Sequence, residues 1–132
     1  MSGLGETFFT SVGCMDGRVQ EPARLFGQKK FNAIYPDTIT EAGLVGILAD
    51  NPSKEFLAQL KIKLDISLNQ HHSKGILIRG HQDCAGNPVD DKSHKNDIRK
   101  SAKIIATLVP EGTQIVPVFV KRDGNGWSVE EL

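Results

Sequence analysis

The chain is predicted to be an α/β protein: a three-layer α/β/α arrangement around a mostly parallel central sheet of about four strands, with a C-terminal antiparallel hairpin strand added. Three observations predict it. Apolar runs of strand length alternate with segments of helical period, in the order strand-helix-strand-helix-strand-helix-strand. The run Gly75–Arg79 (Gly-Ile-Leu-Ile-Arg) is almost continuously apolar, as in a strand buried on both faces of a parallel sheet. Near the C-terminus, Asp123-Gly124-Asn125-Gly126 is a hairpin signal, which only an antiparallel pair uses.

The elements follow in order. Thr7–Val12 is a short strand that ends near Cys14. Glu21–Gln28 starts a helix, with Pro22 suited to a first turn. Phe31–Tyr35 is expected to be a second strand, stopped by Pro36-Asp37. Thr40–Ala49 is expected to be a helix, weakened by Gly43 and Gly46. Ser53 is an N-cap for the clearest helix, where Phe56, Leu57, Leu60, Leu64 and Leu68 recur at helical spacing. Ile62 and Ile66 fall on a different face, which implies a cover from the sheet or from a partner subunit. Gly75–Arg79 is the third strand and delivers Gly80-His81. Asn87–Lys95 is expected to be a polar loop, and Asp97–Leu108 a helix with Ile98, Ala102 and Ile105 inward. Thr113–Val120 is the fourth strand, in which Pro117 implies an edge or a bulge. A last strand lies around Trp127–Val129.

A chain of 132 residues fits one domain over 1–132 and needs no disulfide staple. The 16 basic and 16 acidic residues balance, so nothing favours nucleic acid or an anionic membrane as partner. No apolar run approaches a membrane span. Met1–Glu6 has no basic segment followed by a long apolar stretch, so a cytoplasmic location is expected. In that compartment Cys14 and Cys84 are not expected to form a disulfide.

The chemistry concentrates in two strings, Cys14-Met15-Asp16-Gly17-Arg18 and His81-Gln82-Asp83-Cys84. The bland alternative is a pair of buried thiols and a stray histidine. Each cysteine, however, sits where an apolar run ends and a polar, glycine-containing segment begins. In a parallel sheet, ligands gather at the carboxyl ends of strands. Cys14 follows the first strand, and His81 and Cys84 follow the third, so both strings fall on one sheet edge. Two thiolates and one imidazole suit Zn²⁺ with one position open. Alternatives for Cys14 are weaker. A phosphatase-type Cys-x₅-Arg needs arginine at position 20, which is Gln20.

The two strings resemble the zinc site of the β-class carbonic anhydrases, which carry Cys-x-Asp-x-Arg and Gly-His-x-x-Cys. The resemblance implies Cys14, His81 and Cys84 as zinc ligands, with Gly80 also matching. It implies Asp16 and Arg18 as a dyad beside the metal, and zinc as the cofactor. The implied reaction is reversible hydration of carbon dioxide to bicarbonate, with zinc-bound hydroxide as nucleophile oriented by the dyad. In the family the same aspartate can swing onto the metal, so the resemblance implies Asp16 either as orienter of the water or as the ligand that closes the site. Two alternatives accompany this: the same zinc site acting on carbonyl sulfide or carbon disulfide, and a non-catalytic zinc domain closed by Asp16. Family members bury their clefts at a dimer interface, which implies a homodimer or higher homo-oligomer. The likeness is firm over the two strings and topological elsewhere. No glutamine precedes Cys14, Ala85-Gly86 stands where the family has Gly-Gly, and the family's Arg-Asn-Ala-Gly segment is replaced in the region Tyr35–Gly43.

Of the remaining candidates, Asp83 is expected to cap the turn after His81, with support of a neighbouring ligand as the other role. His71, His72 and His94 lie in polar surroundings and are expected to be solvated. Phe31 and Tyr35 are expected in the core or an interface.

Overall fold

Strands Phe8–Gly13 (β1), Tyr35–Thr40 (β2), Ile76–His81 (β3) and Ile115–Asp123 (β4) run parallel, and Gly126–Glu131 (β5) returns antiparallel to β4. The structure, a computed structural model, describes residues 5–132. The sheet order is β2-β1-β3-β4-β5. This is the expected architecture, four parallel strands closed by a hairpin. The helices are α1 (Gln20–Phe31), α2 (Leu44–Ala49), α3 (Lys54–Asp65, continued by a wide turn Ile66–Gln70) and α4 (Asp91–Ala106). None is long and apolar enough to cross a membrane.

Period-2 alternation in the strands sorts the apolar side chains into two layers. On one face Phe9, Leu77, Val116 and Val118 pack with Ala23 and Phe31 of α1. On the other Val12, Ile76, Ile78 and Phe119 pack with residues of α2, α3 and α4, including Leu48, Leu64 and Ile105. Each fully buried side chain of this size contributes about 1.5–3 kcal/mol. The central strand β3 is buried at every position, as its unbroken apolar run required.

Local signals explain most boundaries. Ser53 caps α3 by accepting from the Phe56 amide at 3.0 Å. Pro117 keeps its place because β5 pairing begins only at Val118. The Leu132 amide donates to the Pro117 carbonyl at 2.9 Å. The missing N–H of Pro117 therefore faces the side where β5 has run out.

Four expectations change. The segment Phe31–Tyr35 is not the second strand. Helix α1 continues to Phe31, whose ring stacks on Phe9 with centroids 5.6 Å apart, and stops at Asn32 in the left-handed region (φ 51°). Strand β2 then begins at Tyr35 and contains Pro36, which an edge strand tolerates because one side has no ladder. The helix expected over Thr40–Ala49 is only Leu44–Ala49, because Thr40 completes β2 and Gly43 adopts φ 63°. The Asn87–Lys95 loop is half helix: Asp90 accepts from the Ser93 amide at 2.7 Å and starts α4 at Asp91. Finally, neither His94 nor His71 is freely solvated. His94 is 2% exposed, and His71 is half-buried with Nδ1 2.7 Å from Asp37. Ile62 and Ile66 remain exposed, so the sheet does not cover their face.

Candidate metal centre

The register of β1 on β3 builds the site. Gly13 pairs with Arg79, so the chain leaving β1 at Cys14 runs beside Gly80 and His81 at the end of β3. A tight turn through Asp83, held in the left-handed region (φ 56°), then brings back Cys84. Cys14, His81 and Cys84 are all buried, and one ligand atom from each lies within 4.8 Å of the others. The two sulfurs are 3.7 Å apart, with Cys84 donating to Cys14. Both cysteines are free thiols.

The histidine is prepared as a ligand. Its Nδ1 lies 2.7 Å from the Gln82 carbonyl, which only accepts, so the proton sits on Nδ1. That leaves the lone pair on Nε2, which is buried and has no hydrogen-bond partner among the described residues. Gln82 is itself fixed: its amide donates to Val120 at 2.9 Å, and its side chain accepts from the Arg122 amide at 2.8 Å. Burial holds the His81 imidazole below its ordinary pKa, which favours the neutral form a metal needs. Burial, the Cys14 sulfur and the hydrogen bond to it push the Cys84 thiol up. An orphaned imidazole nitrogen converging with two thiols fits a tetrahedral, borderline-soft cation.

A backbone amide also reaches the sulfurs. Gly43 N–H donates to Cys14 Sγ at 3.4 Å. It can do so because Gly43 takes φ 63° and lies hard against the backbone of Gly86; a Cβ on either glycine would collide with the other's backbone.

Asp16 and Arg18 meet beside the ligands. Arg18 donates from Nε to Asp16 Oδ1 at 3.0 Å and from Nη2 to Oδ2 at 2.6 Å, a two-pronged contact. The Arg18 amide adds a third bond to Oδ1 at 2.9 Å. Asp16 Oδ2 is 4.0 Å from His81 Nε2. The Arg18 side-chain bonds hold the Asp16 carboxyl down at about 2, so it is an ionised acceptor across the neutral range.

The sequence undervalued Asp83. It does more than cap a turn: its carboxylate accepts from Arg18 Nη1 at 3.0 Å and from Arg122 Nη2 at 2.9 Å. Its carbonyl accepts from Arg18 Nη2 at 3.0 Å. The Arg18 and Arg122 guanidinium groups both stack on Trp127, at 5.2 and 4.6 Å from the ring centroid. Gln20, Arg79, Arg122 and Trp127 were not singled out for the site by the sequence. The first two lie beneath Cys14, where Gln20 donates to the Cys14 and Asp16 carbonyls at 2.9 and 2.8 Å. Arg122 and Trp127 come from the β4–β5 hairpin, and no spacing rule links that hairpin to the two strings.

A family model described as "Putative carbonic anhydrase" matches residues 4–132. No curated protein sequence matches. Among solved structures, the crystal structure of a carbonic anhydrase from Streptococcus mutans is similar, with TM-score 0.59 and 18% identity over 92% of this chain and 80% of that one. At that identity the likeness is one of fold.

Proposed function

The chain belongs to the carbonic anhydrase family, and from that premise we propose that it is a zinc enzyme that reversibly hydrates carbon dioxide to bicarbonate. The observation that carries this reading is the convergence of Cys14, His81 and Cys84, with His81 Nε2 buried and unpartnered. These three residues are the proposed ligands. Bound there, zinc supplies Lewis acidity and an activated water. The protein's own residues do the rest. Asp16, ionised and placed 4.0 Å from His81 Nε2, would accept a hydrogen bond from a water held beside the ligand set and so orient it. Its pKa of about 2 suits it to orientation rather than to storing a proton. Arg18 fixes both carboxylate oxygens and keeps Asp16 turned toward itself.

Stopped-flow hydration of carbon dioxide by zinc-loaded protein tests the reading. Wild type is expected to be active and Cys84→Ser and Asp16→Asn to be strongly impaired. Activity unchanged in either variant overturns it.

A second reading rests on the same 4.0 Å separation: Asp16 is near enough to turn onto the metal as a fourth ligand and close the site. The zinc-bound crystal structure decides between water and Asp16.

We further propose that residues 1–132 work as one domain, in the cytosol, as a homodimer or higher homo-oligomer. The outer edge of β2, which pairs with no further strand among the described residues, and the exposed Ile34, Tyr35, Ile62 and Ile66 support association. Light scattering that finds only monomer at micromolar concentration overturns it.

A further inference from the structure

Arg79 is among the largest fully buried side chains of the protein, 2% exposed, and among the described residues it pairs with no carboxylate. Its guanidinium donates to three neutral oxygens: Ser11 Oγ at 2.9 Å, the Cys14 carbonyl at 3.1 Å and Gln20 Oε1 at 2.9 Å. A buried cation without a counter-ion is costly, and proteins keep one only where an anion compensates it. Of the three residues that receive its guanidinium, Cys14 is the one whose side chain can carry a negative charge. The stem reaches that position by crossing the sheet over Gly13, where any Cβ would collide with Arg79 Cγ and the Arg79 carbonyl. The packing thus places this cation against the backbone of Cys14, whose sulfur receives the Gly43 amide.

We propose that Arg79 is a positioning residue of the metal centre: it is the buried counter-charge of the Cys14 thiolate, and it withdraws electron density from that sulfur. The inference rests on the Cys14, His81 and Cys84 ligand set. Two thiolates donate strongly and would leave a bound cation a weak Lewis acid. A fixed positive charge behind one of them stabilises the sulfur lone pairs and returns acidity to the metal. Gln20 extends the arrangement: it receives Arg79 and donates to the carbonyls of both Cys14 and Asp16. The cation, the ligand and the dyad are thereby tied through one side chain.

The test uses cobalt(II) in place of zinc, because the sulfur-to-cobalt charge-transfer band reports sulfur donation directly. A cation near sulfur raises the transition energy. In Arg79→Gln, which keeps donors but no charge, the band is expected at longer wavelength than in wild type. In Arg79→Lys, which keeps the charge, it is expected close to wild type. Ser11→Asp is the second variant: it leaves Arg79 in place and sets a carboxylate against its Nε, and it is expected to shift the band as Arg79→Gln does. Circular dichroism establishes that each variant is folded. A wild-type band that none of the folded variants moves overturns the role of Arg79 alone, as does an equal shift in Arg79→Lys and Arg79→Gln. Absence of the band in wild type overturns the ligand set as well.

Discussion

Replacing Arg18 by Met removes four side-chain donations at once, two to the Asp16 carboxylate and two to Asp83. The size of the effect on Asp16 follows from its depression from 3.8 to about 2. Each unit is worth about 1.36 kcal/mol, so the full shift corresponds to about 2.4 kcal/mol between the two protonation states. Asp16 and Arg18 are 19% and 42% exposed, and solvent screening reduces the figure to about 1 kcal/mol. The sign is fixed by linkage. A depressed carboxyl stabilises the folded state above its unfolded value of 3.8, and that contribution is lost as pH falls through about 2. Carbon-13 NMR titration of the metal-stripped protein reads the Asp16 carboxyl directly. Its midpoint is expected to rise from about 2 toward 3.8 in Arg18→Met. In acid unfolding, wild type is expected to lose this contribution in the same interval, and the variant, which lacks it, to show a flatter dependence on pH. Lysine, with one nitrogen in place of a fork, is expected to restore only part of the shift. An Asp16 midpoint unmoved in Arg18→Met refutes the dyad as the cause.

Three further outcomes are expected. Asp83→Asn weakens the second anchor of Arg18 at an exposed position, so thermal stability changes by less than about 0.5 kcal/mol. Hydration activity is expected to fall about 10-fold, as for other residues that orient a metal site indirectly. Gly80→Ala sets a methyl against His94 and Ile98 on α4, and calorimetry is expected to show a loss of about 1–3 kcal/mol. His94→Leu removes a buried imidazole that burial holds below its ordinary 6.5. The unfolded chain takes up that proton first, so wild-type stability declines as pH falls below 6.5. Urea titrations across that range are expected to show a shallower decline in the variant.

The sequence carried the sheet, the alternation of strands with helices and the convergence of Cys14, His81 and Cys84 because each has a local signature. Ser53 before an amphipathic run, Asp123–Gly126 between strands, and two short strings after apolar runs are all readable within ten residues. What failed was decided by partners distant in sequence. Tyr35–Thr40 carries a proline and polar residues, and it is a strand only because β1 offers it an edge. His94 sits in the most polar stretch of the chain, yet α4 turns it against Phe119 and Gly80. Arg79 looked like the polar end of an apolar strand. Its burial depends on a glycine 66 positions earlier in the opposed strand.

The charges around the site constrain what enters it. Cys14, Cys84, Asp16 and Asp83 provide four negative groups when both thiols are ionised. Arg18, Arg79 and Arg122 provide three positive ones. Without a cation the cluster is one charge negative when both thiols are ionised, and the two sulfurs lie 3.7 Å apart with the Cys84 thiol donating to Cys14. With the proposed divalent zinc in place, the cluster becomes one charge positive. A single anion then restores neutrality in a region where three of the contributing side chains, Cys14, Cys84 and Arg79, are buried. Hydroxide and bicarbonate each carry that one charge, whereas carbon dioxide carries none. In the proposed reaction the same balance would favour hydroxide and bicarbonate at the site and would set no electrostatic barrier against the neutral substrate. Removing Arg79 deletes the positive surplus, which is why its loss is expected to reach a bound metal even though its guanidinium donates, among the described residues, to the neutral oxygens of Ser11, Cys14 and Gln20.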